Sequence, residues 1–195
     1  MRAGQRAAHG AALLLVLSGA AAACPTAADL ETGITFADSD GDFLKLQTAG
    51  EDVVTASFFL AEDVTARRVV GRKFGAYIVS FGGGRIGVEY TWERGEDALP
   101  YPQLGLSETF PLTITFGRMA RAGRFTIRVD DTSGAVKLGG CQLETWALFA
   151  GWENEDGIAQ GTHFHWFPSL GAGVPVARMN GNRVTRRKDY VGIEW

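Results

Sequence analysis

Two histidines one residue apart, His163 and His165, come closer to metal chemistry than any other pair in this chain. On a β-strand, alternate side chains share a face, so two strand rises would set the imidazoles roughly 7 Å apart. That spacing suits two nitrogen ligands on one divalent metal ion, and with it a metal-binding protein or a metal-dependent enzyme. Further ligands would have to come from neighbouring strands, and Glu153, Glu155 and Asp156 lie across a short turn. The competing reading is a polar sheet face with no metal, its partner residues Phe164 and Trp166 turned into a core.

The two cysteines also leave alternatives open. Cys24 and Cys141 are 117 positions apart. In an oxidising compartment they can pair, and closing so long a loop would stabilise the fold by about 3–5 kcal/mol on the chain-entropy model. Alternatively, Ala21-Ala22-Ala23-Cys24 presents Cys24 for lipidation, which makes the chain an envelope-anchored structural lipoprotein and Cys141 a lone thiol. A third possibility sets Cys141 beside one of the histidines as a thiol–imidazole nucleophile. The glycines before Cys141, and Leu143 on its strand face, argue instead for a buried or bridged sulfur.

Other motifs have simpler explanations. Gly82-Gly83-Gly84-Arg85-Ile86-Gly87 fits the dinucleotide fingerprint, but that motif needs a helix after it and a strand-like run follows. It reads as a hairpin turn, with no cofactor implied. Asp38-Ser39-Asp40-Gly41-Asp42 resembles the start of a calcium loop. Phe43 and Ala49 stand where that loop needs glycine and glutamate, which leaves a solvated hairpin tip. No Gly-x-Ser-x-Gly elbow is present. Basic residues gather at Arg118, Arg121, Arg124 and Arg128, and again at Arg183, Arg186, Arg187 and Lys188. They suit anionic lipid or polysaccharide, or ordinary cross-strand ion pairs. Aromatic residues crowd the last third of the chain, from Trp146 to Trp195, as core or as the wall of an apolar groove.

The elements that must position these residues are strands. Residues 1–23 have the layout of a secretory signal: basic Arg2 and Arg6, a short apolar run from Ala11 to Leu17, then small residues. That run is too short to span a bilayer, which takes about 20 residues. Without the signal the chain is residues 24–195, a single β-rich domain with 17 basic and 22 acidic groups. This acidic balance excludes nucleic-acid binding by bulk electrostatics. Its glycine content is roughly 13%, about twice average usage, which fits many tight turns. Apolar and polar residues alternate over Ile86–Trp92, Leu112–Phe116, Phe125–Val129 and Val191–Trp195, as in half-buried antiparallel strands.

Turn chemistry separates the runs at Ser39–Asp42, Gly82–Arg85, Asp131–Gly134 and Asn154–Gly157, and Arg118–Arg124 joins two strands. Glu93–Thr109 is long enough to be a crossover, a lid or a binding loop. Glu62–Val70 is the one further stretch with a helical option. Thr26 as cap, Asp29 at the third position and Gly33 as terminator predict a short N-terminal helix. The expected architecture is all-β and mainly antiparallel, a curved sheet or half-barrel behind that helix.

Cys24-Pro25-Thr26-Ala27-Ala28-Asp29-Leu30, Gly140-Cys141 and Phe167-Pro168-Ser169-Leu170-Gly171 resemble segments of small exported β-sheet proteins of Gram-negative bacteria. That resemblance implies a bridge between the two cysteines and no particular activity. The layout is also broadly similar to periplasmic half-barrel lipid carriers of the lipoprotein-localisation type. The resulting expectation is a non-catalytic periplasmic protein that binds an apolar ligand or an envelope partner.

Overall fold

The computed structural model describes residues 23–60, 63–73, 75–82 and 87–195; the export signal proposed for residues 1–23 falls almost wholly outside them. The chain is all-β. Its strands are β1 (Ile34–Asp38), β2 (Phe43–Gly50), β3 (Val53–Leu60), β4 (Asp63–Arg72), β5 (Tyr77–Gly82), β6 (Val88–Trp92) and β7 (Ser107–Phe116). They continue as β8 (Met119–Leu138), β9 (Cys141–Asn154), β10 (Ala159–Phe167), β11 (Ala172–Asn180), β12 (Arg183–Arg187) and β13 (Tyr190–Glu194). Each strand from β1 to β12 pairs antiparallel with its sequence neighbour, and β13 returns to pair with β1.

The order has a geometric consequence. The two edges of the 13-stranded sheet are β12 and β13, which are consecutive in the chain. Only Lys188 and Asp189 separate them, so the sheet must bend back until its edges lie a two-residue connection apart. The edges do not hydrogen-bond into a closed barrel: β12 pairs with β11 and β13 with β1.

Side-chain alternation sorts the apolar residues into two cores. The first contains Tyr77, Trp92, Phe110, Ile114, Phe125 and Ile127, fully or almost fully buried. Tyr77 meets Trp92 edge-on with ring centroids 5.5 Å apart, and Trp92 meets Phe125 at 4.6 Å. The second contains Leu30, Ile34, Phe36, Leu44, Phe167 and Ile193. The hairpin of β8 and β9 serves both cores with opposite faces. On β9 the buried positions are Cys141, Leu143 and Thr145 near the hairpin tip, then Leu148 and Ala150 beyond it. Odd and even residues lie on opposite faces of a strand.

Four expectations are corrected. The N-terminal helix is only a 3-10 turn, Ala27–Glu31. Its cap is as expected: the Asp29 carboxylate accepts from the Thr26 N–H at 2.7 Å and the Thr26 hydroxyl at 3.0 Å. Gly33, at φ +104°, then turns the chain into β1, leaving too few residues for α-helical turns. The helical option at Glu62–Val70 is overturned, because residues from Asp63 onward form β4. β-Branched Val64, Thr65, Val69 and Val70 suit a pleated strand. Asp131–Gly134 is not a turn between strands but an irregularity inside the 20-residue β8. There the register steps from Val129↔Leu148 to Ser133↔Trp146, so β8 advances four residues against two on β9. Glu93–Thr109 is not a crossover: it joins neighbouring antiparallel strands β6 and β7, and Thr109 already belongs to β7.

Ser39–Asp42 and Asn154–Gly157 do form turns, and the chain reverses at Gly117–Arg118. The glycine-rich segment joins antiparallel β5 and β6, with residues 83–86 outside the described part. No helix among the described residues is long and apolar enough to cross a membrane.

Candidate functional site

The bent sheet leaves an apolar cavity of about 400 Å³ between β2–β5 on one side and β9–β12 on the other. Val54, Ala56 and Phe58 project into it from β3, at alternate positions of one strand face. Phe164 and Pro175, directly opposite each other on β10 and β11, wall the other side. Gly173 lines the same wall, where a Cβ would meet the Phe164 and Trp166 rings at 3.4 Å. Tyr90 and Trp152 line the same space. Burial raises the Tyr90 pKa, against smaller opposing effects from a hydrogen bond with Trp152 and the charge of Arg178, so this hydroxyl stays neutral at physiological pH. Among the described residues, the charged groups lining the cavity are Asp38, Asp42, Arg178, Arg186 and Lys188.

Four of those five charges form the seam between the sheet edges. The Lys188 ammonium contacts the carboxylates of both Asp38 and Asp42, and the Arg186 guanidinium lies 2.9 Å from Asp42. The Asp38 side chain is 1% exposed and that of Lys188 13%, so solvent screens this cluster poorly. Burial alone would raise the Asp38 pKa, but hydrogen bonds from Lys188 and the backbone, with the Lys188 charge, outweigh it and hold the carboxyl below its usual range. Burial likewise opposes the charge on Lys188, and the two carboxylates outweigh that, raising its pKa. Backbone bonds complete the seam: Lys188 N–H donates to the Val176 carbonyl at 2.9 Å, and Ser39 N–H to the Asp189 carbonyl at 2.9 Å. The acidic motif read as a hairpin tip is therefore anchored at two of its three carboxylates, while Asp40 is exposed.

The histidines occupy unlike surroundings. His163 is exposed, its ring 5.2 Å from that of Phe149. Phe149 lies over Gly151 and Gly161, where a Cβ at Gly161 would come within 2.5 Å of the ring. The Arg128 guanidinium stands 5.0 Å from the same ring. This cluster covers two strand glycines on the outer face, and His163 belongs to it with its ring tilted 56° to that of Phe149. His165 is half-buried and lines a second cavity of about 260 Å³ with Phe36, Phe167 and Tyr190. Burial holds its imidazole below the ordinary pKa, so it is neutral near pH 7. Among the described residues, no group of three or more His, Cys, Asp or Glu is placed to hold a metal ion. Glu153 pairs across the ladder with Ala159, four positions along β10 from His163, and Asp156 lies 4.0 Å from Arg121.

Cys24 and Cys141 stand at disulfide distance, with Cα atoms 5.4 Å apart. Cys141 is buried in the second core with Leu143 and Leu138. Of the basic residues of the β7–β8 hairpin, Arg118 lies in the turn, Arg124 faces Glu153 across the ladder, and Arg128 lies over Phe149. The long β6–β7 connection buries Leu99 and Leu106 in the first core and closes its end. Gly105 N–H donates to the Asp130 carbonyl at 3.1 Å, and Arg72 pairs with Glu96.

Sequence reasoning missed the cavity wall on β3. Val53–Leu60 contains apolar residues on both alternations and so shows no half-buried pattern, yet such a run signals a strand with something apolar on each side. It also missed the seam, because Lys188 is 146 residues from Asp42. No protein-family model, curated protein or solved structure matches the chain.

Proposed function

We propose that this is an exported, non-catalytic periplasmic protein that holds an apolar ligand in the cavity between β3 and β10–β11, with residues 1–23 as the export signal. The observation that supports it is the cavity itself. Its volume of about 400 Å³ lies in the range of small-molecule sites, roughly 300–1,000 Å³. Apolar walls interrupted by a few polar groups at one margin are the usual composition of such sites. The Cys24–Cys141 bridge fits the same compartment, since disulfides persist outside the cytosol. Export delivers the chain to a place where acyl chains and other apolar molecules must be shielded from water.

The test uses the neutral dye N-phenyl-1-naphthylamine, whose fluorescence rises on entering an apolar site. Saturable one-to-one binding is expected, abolished by Ala56→Trp, which places an indole in the cavity from β3. A wild-type protein with native circular dichroism that gives no saturable binding would overturn the proposal.

A further inference from the structure

We propose that the ligand is a single-chain amphiphile with an anionic head group, its chain in the cavity and its head at Arg178; this rests on the apolar-ligand reading above. Arg178 on β11 and Arg186 on β12 are direct cross-strand partners, so both guanidinium groups project on one face of the sheet. Both line the cavity. Like charges directly opposite each other on a sheet destabilise it unless something negative lies between or beside them. Arg186 has such a partner in Asp42 at 2.9 Å. The hydrogen bond that Arg178 makes goes to a neutral amide, from its Nη2 to Gln160 Oε1 at 3.4 Å.

The charges along the cavity wall lead to the same ligand. Arg178, Arg186 and Lys188 face Asp38 and Asp42, three cations against two anions among the described lining residues. Lys188 and Arg186 are engaged by those two carboxylates, so the unbalanced positive charge sits at Arg178. A guanidinium offers paired N–H donors to a carboxylate or a phosphodiester oxygen pair. Arg178 is exposed, at the cavity's margin rather than its floor, which is where the head of a chain inserted tail-first would lie. A neutral ligand would leave Arg178 to solvent with no anionic partner, and a cationic one would add a third positive group beside Arg178 and Arg186.

The experiment displaces N-phenyl-1-naphthylamine with four C14 amphiphiles below their aggregation concentrations: myristate, myristoyl lysophosphatidylglycerol, tetradecanol and tetradecyltrimethylammonium. The two anions should bind about tenfold more tightly than tetradecanol, the gain expected of one charge-assisted hydrogen-bonded contact. The ammonium should bind most weakly. Arg178→Gln should remove the advantage of the anions and leave tetradecanol unchanged. Tighter binding of myristate assigns a free fatty acid, and tighter binding of the lysolipid a phosphodiester head; either supports the proposal. Equal binding of all four, or an equal loss for anion and alcohol in Arg178→Gln, would overturn it. Binding by none of the four, tetradecanol included, would instead remove the apolar-ligand reading beneath it.

Discussion

The two cores of this sheet are assembled by different means. The first is built by strands that follow one another, β5 to β10, each reached by a short reversal or by the capped β6–β7 connection. Its aromatic rings meet directly, as Tyr77 does with Trp92, Phe110 and Phe125. The second gathers Leu30 and Ile34 from one end of the described chain, Ile193 from the other, and Leu138 and Leu143 from the β8–β9 hairpin tip. Bringing such distant segments together costs loop-closure entropy that neighbouring hairpins avoid. The links between remote residues lie in this half: the Cys24–Cys141 pair and the Asp38–Lys188–Asp42 cluster. Local contacts suffice where the chain folds on its neighbours, and specific cross-links appear where it does not. The cavity is bounded by both regions, with Phe125 and Ala150 from one and Leu46 and Val54 from the other.

The comparison breaks most visibly at the cysteines. Replacing both with serine should destabilise the fold by about 5 kcal/mol, the chain-entropy value for so long a loop. Hydrogen exchange should rise first at β1, β2 and β13, while amides of β7 and the adjoining part of β8 keep their protection. Uniform loss across all strands would show that the two cores are one cooperative unit.

Lys188→Met should cost about 3 kcal/mol, because it strands the buried Asp38 carboxylate without its cation. The same cluster sets a pH window. Asp38 has a folded pKa below its ordinary 3.8, so its contribution is present above that value and is lost as pH falls through the folded pKa. Lys188 has a folded pKa above its ordinary 10.5, so its contribution is present below that value and is lost as pH rises through the folded one. Urea midpoints of wild type should fall at either extreme, with an earlier decline below pH 6.5, where His165 resists in the folded state the proton it takes up when unfolded. In Lys188→Met the acid limb should move, since an unpaired buried carboxyl favours its protonated form.

The smallest effect is expected on the outer face. Phe149→Ala uncovers Gly151 and Gly161 and should cost about 1 kcal/mol, the upper end for cross-strand aromatic contacts. His163→Ala, which removes only the neighbouring ring, should cost less. If zinc raises the melting temperature of wild type but not of His163→Ala, the histidines serve a metal and packing against Phe149 is not their role.

Much of the first core was legible in the sequence. Leu112 and Ile114 alternate with threonines, as do Phe125 and Ile127 with Thr126, and these strands occur where the pattern places them. Strand periodicity depends on local spacing, which a sequence displays directly. The second core was less legible because its members are contributed from across the chain. Asp131–Gly134 has the residues of a turn, but the same chemistry serves an irregularity when pairing with β9 continues to Leu138↔Cys141. The carboxylates of Asp38 and Asp42 suggested solvent or calcium because nothing nearby in sequence announces Lys188. Histidine spacing located the face but not its neighbours: Phe149 gives His163 an aromatic neighbour, while Phe36 and Phe167 share an apolar cavity with His165.

The central claim is that the space between the two regions holds a ligand. Native mass spectrometry of the protein, purified gently from a producing bacterium, tests it most directly. The predicted spectrum contains, beside the bare mass of residues 24–195 less two hydrogens for the disulfide, a one-to-one adduct with the mass of an anionic single-chain lipid. A spectrum with bare protein alone, unchanged after incubation with myristate and with a neutral C14 alcohol, would contradict it.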